Sequence, residues 1–274
     1  MVVSLQIIMP RLKNFDTESL THFWDELARS IQDTFYSEKN ATDIYLQKTY
    51  LNILNHFQVD PLGQKILKLD LWNESTNTVL LKWFFERGAE IYGIDISPEV
   101  VQRAKVKFEQ RGIPCDLRQG DIRKIPFPDA YFDMVYSIGT IEHVPEVSKV
   151  FQEIYRVMRD GGEHIVGVPN RYNIWGRAFA VWLAQQFGLY PFGFSLSFSR
   201  DSLSKMLKDT GFRDIETTGV ILYPWVIRYI NLHPHARHFA WINKVVRYII
   251  LPFSYLEFGY TAHLGEFLIA KCRK

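Results

Sequence analysis

The stretch QKILKLDLWNESTNTVLLKWFFERGAEIYGIDIS, residues 64–97, contains two strand patterns separated by a turn and an amphipathic helical pattern. We expect the strands at 65–71 and 90–95, with the helix between them ending near Gly88. Two parallel strands joined by a helix form half of a doubly wound, nucleotide-binding sheet. Asp95 ends the second strand about twenty residues beyond the first turn, where a carboxylate accepts hydrogen bonds from ribose hydroxyls. The stretch therefore predicts a nucleotide site that includes Asp95.

The turn after the first strand, LDLWNEST at residues 69–76, contains no glycine. Glycine in such a turn supplies positive φ angles and lets the backbone approach a ligand closely. Lys68 and Asp70 point to the same face of the strand, because side chains alternate along a strand. A buried parallel strand is normally apolar there, so we expect these two charges to pair with each other.

Strand and helix patterns alternate beyond this stretch, which predicts parallel β-α-β units. Ser97 and Pro98 supply an N-cap and a proline at the first helical position. The loops at the carboxyl ends of the strands form the ligand crevice of such a sheet. Two N-terminal helices either cover the sheet or form a lid over that crevice. The expected elements are helices at 17–36, 42–57 and 145–158, and strands at 114–118, 132–137 and 163–168.

Composition narrows the class of protein. The 274 residues are 47% hydrophobic and 15% aromatic, which is enough to bury a full core. A net charge of only +2, with acids and bases interspersed, argues against a nucleic-acid partner. Cys115 and Cys272 lie far apart without a CxxC spacing, so we expect no disulfide framework or zinc site and a reducing cytoplasm. The N-terminus has no signal-peptide pattern, and no apolar segment reaches the roughly 18–20 residues that span a bilayer.

Residues 120–170, GDIRKIPFPDAYFDMVYSIGTIEHVPEVSKVFQEIYRVMRDGGEHIVGVPN, carry an ordered set of motifs. An acid precedes Pro-Phe by five residues, and Phe-Asp-x-Val, Glu-His-Val and Arg-Val-x-x-x-Gly-Gly follow. The block resembles class I S-adenosylmethionine-dependent methyltransferases, particularly small-molecule and quinone methyltransferases. The resemblance covers residues 60–170 well, and continues in patches at 197–216 and 266–271.

The resemblance implies an α/β fold with a doubly wound, mostly parallel, seven-stranded Rossmann-like sheet. N-terminal helices and a helical, aromatic-rich C-terminal insertion would accompany this sheet. It also implies three regions: an N-terminal helical cap over residues 1–60, a cofactor-binding core over 61–170, and a region over 171–274 that completes the sheet and carries substrate or cap insertions.

The same resemblance assigns cofactor roles to strand-end residues. S-adenosyl-L-methionine would be the cofactor and S-adenosylhomocysteine the product. Asp95, with Ile96 beside it, would bind the ribose hydroxyls, and Asp121 would accept a hydrogen bond from the adenine amino group. Ile122 would lie beside the adenine ring, and Ser137 near the methionine moiety. The alternative is that these aspartates are turn formers or helix caps.

The first turn departs from the family pattern. The family has an acid at position 68 and small residues at 70, 72 and 74, whereas this chain has Lys68, Asp70, Trp72 and Glu74. We expect Asp70, Asn73 and Glu74 to hydrogen-bond the α-ammonium group of the cofactor directly. The alternative is a polar turn in a domain that has lost cofactor binding.

His143 is the candidate catalytic base, with Glu142 beside it, because methyl transfer needs a base where the acceptor must lose a proton. The alternative is a histidine that anchors the start of a helix. Some quinone-type relatives hold a divalent metal with Glu-x-x-Glu-His, but Gly139 stands at the first position here, so we expect no metal. A second group of histidines has a metal-compatible spacing but no cysteine or clear carboxylate partner: His233, His235 and His238.

Residues 171–258 are rich in aromatic and aliphatic side chains, which suits a bulky apolar acceptor such as a lipid, polyketide or prenylated ring. A basic amphipathic helix around 241–251 could rest on an anionic membrane surface. A cap packed internally or against a second copy of the chain, as in a homodimer, is the alternative. The leading prediction is a methyltransferase for a hydrophobic acceptor. A non-catalytic methyltransferase-like partner subunit comes second, and a nicotinamide-dependent oxidoreductase third because the chain lacks GxGxxG.

Overall fold

The computed structural model describes residues 14–35, 40–76, 79–232, 239–259 and 261–274. One seven-stranded sheet organises them, with the strand order β3-β2-β1-β4-β5-β7-β6. Strands β1 to β5 are parallel, and β7 runs antiparallel between β5 and β6. The strands are β1 Lys65–Leu69, β2 Glu90–Asp95, β3 Asp116–Gln119, β4 Phe132–Ile138, β5 Met158–Pro169, β6 Arg213–Val220 and β7 Phe267–Arg273.

Helices pack on both faces of the sheet, as expected for a doubly wound fold. The helices are α1 Thr17–Phe35, α2 Ala41–His56, α3 Val79–Phe85, α4 Pro98–Gln110, α5 Val147–Val157, α6 Arg177–Gln186, α7 Arg200–Thr210, α8 Val226–Leu232 and α9 Ala240–Ser254. Alternation along β1 divides the core, because Ile66 joins a cluster with α2, α3 and α4, whereas Leu67 joins one with α5 and α7. The predicted α/β class and seven-stranded sheet are confirmed.

The strand order reverses between β1 and β4, which makes the carboxyl ends of these two strands a topological switch point. Helix α1 is anchored close to this edge of the sheet. Its Asp25 Oδ1 accepts hydrogen bonds from the Ser97 hydroxyl at 2.7 Å and the Glu99 N–H at 3.0 Å. Asp25 therefore caps the N-terminus of α4 and fixes α1 near the ends of the strands.

Three predicted strand boundaries were wrong. β1 ends at Leu69, two residues early, because Asp70 has a φ of 87° and leaves the extended conformation. β3 begins at Asp116 rather than at Pro114, whose nitrogen has no hydrogen to donate to a ladder. β5 begins at Met158, which pairs with Phe132, although the strand was predicted to begin at residue 163. Residues 158–162 therefore belong to the strand. None of the described helices is long and apolar enough to cross a membrane.

Candidate functional site

A cavity of about 220 Å³ lies at the carboxyl ends of the central strands. A water molecule needs about 10–15 Å³ on this measure, so the cavity has room for about 15–20 water molecules. It follows the strand order from Gly120 and Asp121 after β3 to Gly139 and Thr140 after β4. Trp72 forms part of the wall and leaves this space open. We refer to it as the strand-end cavity.

Asp95 stands where the sequence predicts, at the end of β2 and in the wall of the cavity. Its Oδ2 accepts the Leu71 N–H at 2.8 Å, and its Oδ1 accepts the Ser97 N–H at 2.9 Å. Burial raises the pKa of Asp95 to about 7, against the lowering effect of these two donors. Through these two contacts the Asp95 carboxylate joins the loops that follow β1 and β2. Each of its oxygens can accept one further hydrogen bond from the side of the cavity.

The first turn places Asp70 in the backbone conformation that glycine would normally supply. Asp70 has a φ of 87°, and its side chain lines the cavity. Lys68 Nζ donates to the Asp70 carbonyl oxygen at 2.7 Å and lies 3.2 Å from Oδ1, so the expected pair forms. The Thr140 hydroxyl donates to Asp70 Oδ2 at 2.9 Å. These contacts stabilise an otherwise unfavourable conformation and hold the carboxylate at the cavity wall.

Of the other residues in this turn, Asn73 lines the cavity and Glu74 does not. Glu74 is fully buried, with its Oε1 3.4 Å from the Leu81 N–H. Its Oε2 has no hydrogen-bond partner among the described residues. Its side chain is buried between the turn and α3, so Glu74 lies outside the cavity wall, contrary to the expectation that it faces the cofactor.

Glu74→Gln should stabilise the protein at alkaline pH, because burial raises the pKa of Glu74 to about 7. Between its ordinary pKa of 4.5 and about 7, the folded protein retains a proton that the unfolded chain has released. The contribution of Glu74 to the free energy of unfolding therefore falls as the pH rises. Above pH 8 we expect glutamine to raise that free energy by about 3 kcal/mol, and below pH 4 to leave it unchanged.

Urea unfolding at both pH values measures this difference. The matched control is Glu86→Gln, since Glu86 is half exposed and pairs with Lys82 on the surface. We expect the control to change the free energy of unfolding by less than about 0.5 kcal/mol. An equal effect of Glu74→Gln at both pH values would contradict a titrating, buried carboxyl.

Asp121 and Ile122 line the cavity beyond β3, next to Ile96 from the β2 loop. The carboxylate of Asp121 is already engaged by Arg123, with Nη2 2.7 Å and Nε 3.0 Å from its two oxygens, and by the Thr17 hydroxyl at 2.7 Å. Burial opposes ionisation, but these donors outweigh it and lower the pKa of Asp121. Asp121 thus also links α1 to the sheet, a role that its position in the sequence did not reveal.

Ser137 is not in the cavity wall, contrary to the expectation that it lies beside the cofactor. β4 extends to Ile138, so Ser137 is an interior strand residue that is fully buried. Its Oγ lies 3.2 Å from His164 Nε2 on β5. The cavity is lined instead by the three residues that follow it: Ile138, Gly139 and Thr140.

Glu142 and His143 both line the cavity, on the loop that follows β4. His143 Nδ1 lies 2.7 Å from the Phe194 carbonyl oxygen, which can only accept, so Nδ1 carries the proton. Burial lowers the pKa of His143 to about 4, which leaves Nε2 an unprotonated acceptor at neutral pH. Trp24 of α1 meets the imidazole edge-on at 4.9 Å and holds its orientation.

Glu142 is 2% exposed, and its Oε1 lies 3.9 Å from His143 Nε2. Burial raises the pKa of Glu142 to about 8, so its carboxyl is protonated at neutral pH. Oε2 has no hydrogen-bond partner within the described part of the chain. The two side chains therefore form a buried acid and base pair in which both are neutral.

Among the cavity residues that the sequence analysis missed are Trp24, Thr140 and Arg177. Thr140 follows Gly139 at a strand end, so its position in the motif block was an available signal. Trp24 lies on α1, far before the block, and Arg177 begins α6 shortly after it; no local pattern marks either residue. Arg177 Nε is 2.7 Å from Glu266 Oε1, which anchors this cation in the cavity wall.

The charges of the cavity suit the cationic cofactor that the sequence resemblance implies. Asp70 and, above its pKa of about 7, Asp95 supply negative charge, Glu142 adds a neutral carboxyl, and the lining Arg177 is held by Glu266. The open Oε2 of Glu142 is a buried acceptor of the kind that a ligand satisfies. The residues present therefore fit a ligand with ribose hydroxyls and positive charge.

No group of three or more histidine, cysteine, aspartate or glutamate side chains could hold a metal ion within the described ranges. The three histidines at 233, 235 and 238 lie outside those ranges. The expectation that the protein uses no metal stays a prediction.

Residues 75–166 match a family model described as a methyltransferase domain. The sterol 4-C-methyltransferase strm-1 of Caenorhabditis elegans is 37% identical over 81 residues, which cover 29% of this chain and 24% of that protein. The demethylmenaquinone methyltransferase of Geobacillus sp. strain WCH70 is 30% identical over 151 residues, covering 46% of this chain and 62% of that protein. The chain thus spans less than two thirds of the length of these curated relatives.

Among solved structures, the cyclase SpnF superimposes with a TM-score of 0.66 at 17% identity. The alignment covers 97% of this chain and 98% of that chain. At this level of identity the similarity concerns the fold alone.

Proposed function

Since residues 75–166 form a methyltransferase domain of the class I S-adenosylmethionine-dependent family, we propose that the protein transfers a methyl group to an oxygen, nitrogen or carbon atom of a hydrophobic acceptor. S-adenosylmethionine is the cofactor of this family and S-adenosylhomocysteine its product. One feature of the structure supports the proposal most directly. A single cavity is lined both by Asp95, after β2, and by His143, which has an unprotonated Nε2, after β4.

The proposed cofactor contacts follow the lining of the cavity. Asp95 binds the ribose hydroxyls, with Ile96 beside the sugar. Ile122 packs on the adenine ring. Asp121, whose acceptor positions are taken by Arg123 and Thr17, accepts from the adenine amino group in exchange for one of these donors. Asp70 and Asn73 accept hydrogen bonds from the α-ammonium group.

When bound, S-adenosylmethionine supplies a methyl group that is already electrophilic because it is attached to a sulfonium. The protein must therefore position the acceptor and exclude water. Helix α1 serves the second purpose, because Leu20 and Trp24 cover the cavity. His143 Nε2 accepts the proton that an acidic acceptor loses. Glu142 lies beside the imidazole and shields it from water.

The acceptor side of the cavity supports a hydrophobic substrate. Tyr190, Phe192 and Phe267 line it with aromatic rings, and Arg177 provides one polar anchor. Lipid-like acceptors are consistent with the sterol and menaquinone enzymes among the relatives. Residues 171–274 contribute these rings, so we assign the acceptor side to this region, the cofactor side to 61–170 and the cover to 1–60.

Two further proposals concern location and assembly. Cys115 and Cys272 are both free thiols, in keeping with the reducing cytoplasm that the sequence predicts. Contact with a membrane surface would give the protein access to an apolar acceptor. A homodimer, in which a second copy of the chain covers apolar side chains of the C-terminal region, is the alternative.

The test is methyl transfer from cofactor labelled in its methyl group to extracted lipids, quinones and sterols dispersed in detergent. We expect label in one apolar fraction, and none when the acceptor extract is omitted. A folded protein that binds S-adenosylhomocysteine but labels no fraction would contradict the proposed acceptor class. A folded protein that binds no cofactor would instead support the non-catalytic alternative.

A further inference from the structure

Large apolar side chains are exposed along α6, the loop that follows it, and α9. Side chains of this size are normally buried, and a monomer rarely exposes many of them in one area. Six aromatic rings here are each more than half exposed, and together they expose on the order of 600 Å². These six residues, which we call the aromatic face, are Phe179, Trp182, Phe187, Trp241, Tyr248 and Tyr255.

The two parts of the aromatic face adjoin through Trp175, which is itself 41% exposed. Its indole ring packs edge-on against Phe253 of α9 at 6.4 Å, and its Nε1 donates to the Leu222 carbonyl oxygen at 2.6 Å. Trp175 stands just before α6 in the chain. The start of α6 and the end of α9 therefore adjoin, which places the exposed rings of the two helices on neighbouring parts of the surface.

The chain in this region carries no acidic residues. Segments 171–200 and 217–256 contain neither aspartate nor glutamate, although the whole chain has 30 acidic residues among its 274. Lys244 and Arg247 are exposed on α9, on the same helix as Trp241 and Tyr248 of the aromatic face, and Tyr255 follows its end. A surface of exposed aromatic rings with cations and no anions is complementary to an anionic surface with an apolar interior.

The aromatic face also adjoins the strand-end cavity. Helix α6 presents Phe179 and Trp182 to solvent, whereas Arg177 from its first turn lines the cavity. Farther along, Leu189 is 69% exposed and the next residue, Tyr190, is a buried residue of the cavity wall. The chain thus passes from the outer surface to the acceptor side of the cavity within one residue.

We infer that the aromatic face docks on the surface of an anionic lipid bilayer, with its rings at the level of the headgroups. Lys244 and Arg247 then meet lipid phosphates, and the rings of α6 and α9 enter the interfacial region where tryptophan and tyrosine are favoured. The acceptor side of the cavity faces the membrane in this orientation. The docked protein would then take an amphiphilic acceptor directly from the bilayer. This uptake rests on the proposed function, whereas the docking itself does not.

A bilayer suits this surface better than a second copy of the chain. Protein interfaces of this kind are depleted in lysine at their centre, and a self-complementary interface would bring the cations of both copies together. With no acidic residue in either segment, those cations would have no partner across the interface. An anionic bilayer supplies the missing negative charge.

The test is flotation of the full chain with vesicles of phosphatidylcholine alone, or of phosphatidylcholine and phosphatidylglycerol in equal parts. We expect binding to the anionic vesicles and at least tenfold weaker binding to the neutral ones. Phe179→Ser combined with Trp182→Ser should weaken binding to the anionic vesicles about 100-fold. Lys244→Glu combined with Arg247→Glu should weaken it about 30-fold or more, and raised salt should reproduce this loss in the wild type.

Matched controls lie elsewhere on the surface. Leu62→Ser removes an apolar side chain that is 74% exposed before β1, at the amino end of the sheet. Lys105→Glu combined with Lys208→Glu reverses two exposed cations on α4 and α7. Both controls should bind the anionic vesicles as the wild type does. Circular dichroism and S-adenosylhomocysteine calorimetry on every variant check the fold separately from the docking.

Three results would overturn the inference. One is a folded wild type that floats with neither kind of vesicle. Another is equal loss of binding in the controls and in the variants of the aromatic face. The third is a dimer in sedimentation equilibrium that Phe179→Ser with Trp182→Ser dissociates, without vesicle binding. A protein that binds vesicles but no S-adenosylhomocysteine would contradict the proposed function and leave the docking intact.

Discussion

Asp95→Ala is expected to abolish the heat of S-adenosylhomocysteine binding in a calorimeter, while the wild type binds measurably. Asp95 lines the cavity at the end of β2 and is charged above its pKa of about 7, so the measurement is made at pH 8. A charged acceptor bound to two ribose hydroxyls contributes about 1.5–3 kcal/mol for each hydrogen bond. Loss of both bonds weakens binding by about 100-fold or more. Because Asp95 also accepts the Leu71 and Ser97 N–H groups, the cradle of the cofactor loosens as well.

Two further variants separate these effects. Asp95→Asn keeps the size of the side chain and one acceptor oxygen, but its NH2 group faces one of the two backbone N–H donors. It should lose about 1–3 kcal/mol of stability and still bind cofactor weakly. Asp129→Ala removes an aspartate that is 77% exposed and pairs with Arg156 away from the cavity, and it should bind S-adenosylhomocysteine normally. Unchanged binding by a folded Asp95→Ala protein would show that the ligand does not use this carboxylate.

His143→Asn is expected to lower kcat by about 100-fold to 10,000-fold without weakening the binding of S-adenosylhomocysteine. The asparagine amide can replace Nδ1–H as the donor to the Phe194 carbonyl oxygen, so the local fold is kept. It has no equivalent of the basic Nε2, so proton removal from the acceptor is lost. The imidazole follows β4, two strands away from β2, whose end carries Asp95, which is why cofactor affinity should not change.

The pH dependence of kcat/KM gives an independent measure of the same group. Because burial lowers the pKa of His143 to about 4, the base stays unprotonated down to that pH. With cofactor saturating, the fall in rate that belongs to His143 should therefore appear only below it, separate from any step near pH 7 that follows Asp95. A base with an ordinary histidine pKa would already lose activity below about pH 6.5. His22→Asn, which changes an exposed histidine of α1, is the matched control and should leave both kcat and the pH profile unchanged. Full turnover by His143→Asn would restrict His143 to an anchoring role.

The periodicity of the chain was sufficient to predict the sheet and its order of elements. Alternating apolar side chains mark β1, where Ile66 and Leu67 join opposite halves of the core. Strand ends then locate the cavity, because the carboxyl edge of a doubly wound sheet is fixed by its connections. Asp95, Ile96 and Ile122 line the cavity for this reason.

Tertiary packing decided the partners of the polar side chains. Asp121 is held by Thr17, which is 104 residues away in sequence, and Thr140 supports Asp70 across 70 residues. Glu74 lies in the same turn as Asn73, yet only Asn73 faces the cavity. A motif specifies which side chains reach a strand end but not which of them is turned inward, because that choice depends on the helices that pack against the turn.

The sequence by itself determined the fold, the edge of the sheet that carries the site, and the carboxylate at the end of β2. These follow from the spacing of apolar side chains and from chain connectivity, which are local properties. Only the tertiary structure decided that α1 covers the cavity, that Arg177 enters it and that His143 keeps an unprotonated Nε2. Those features depend on burial and on contacts between segments far apart in the chain, and such contacts leave no periodic pattern in the sequence.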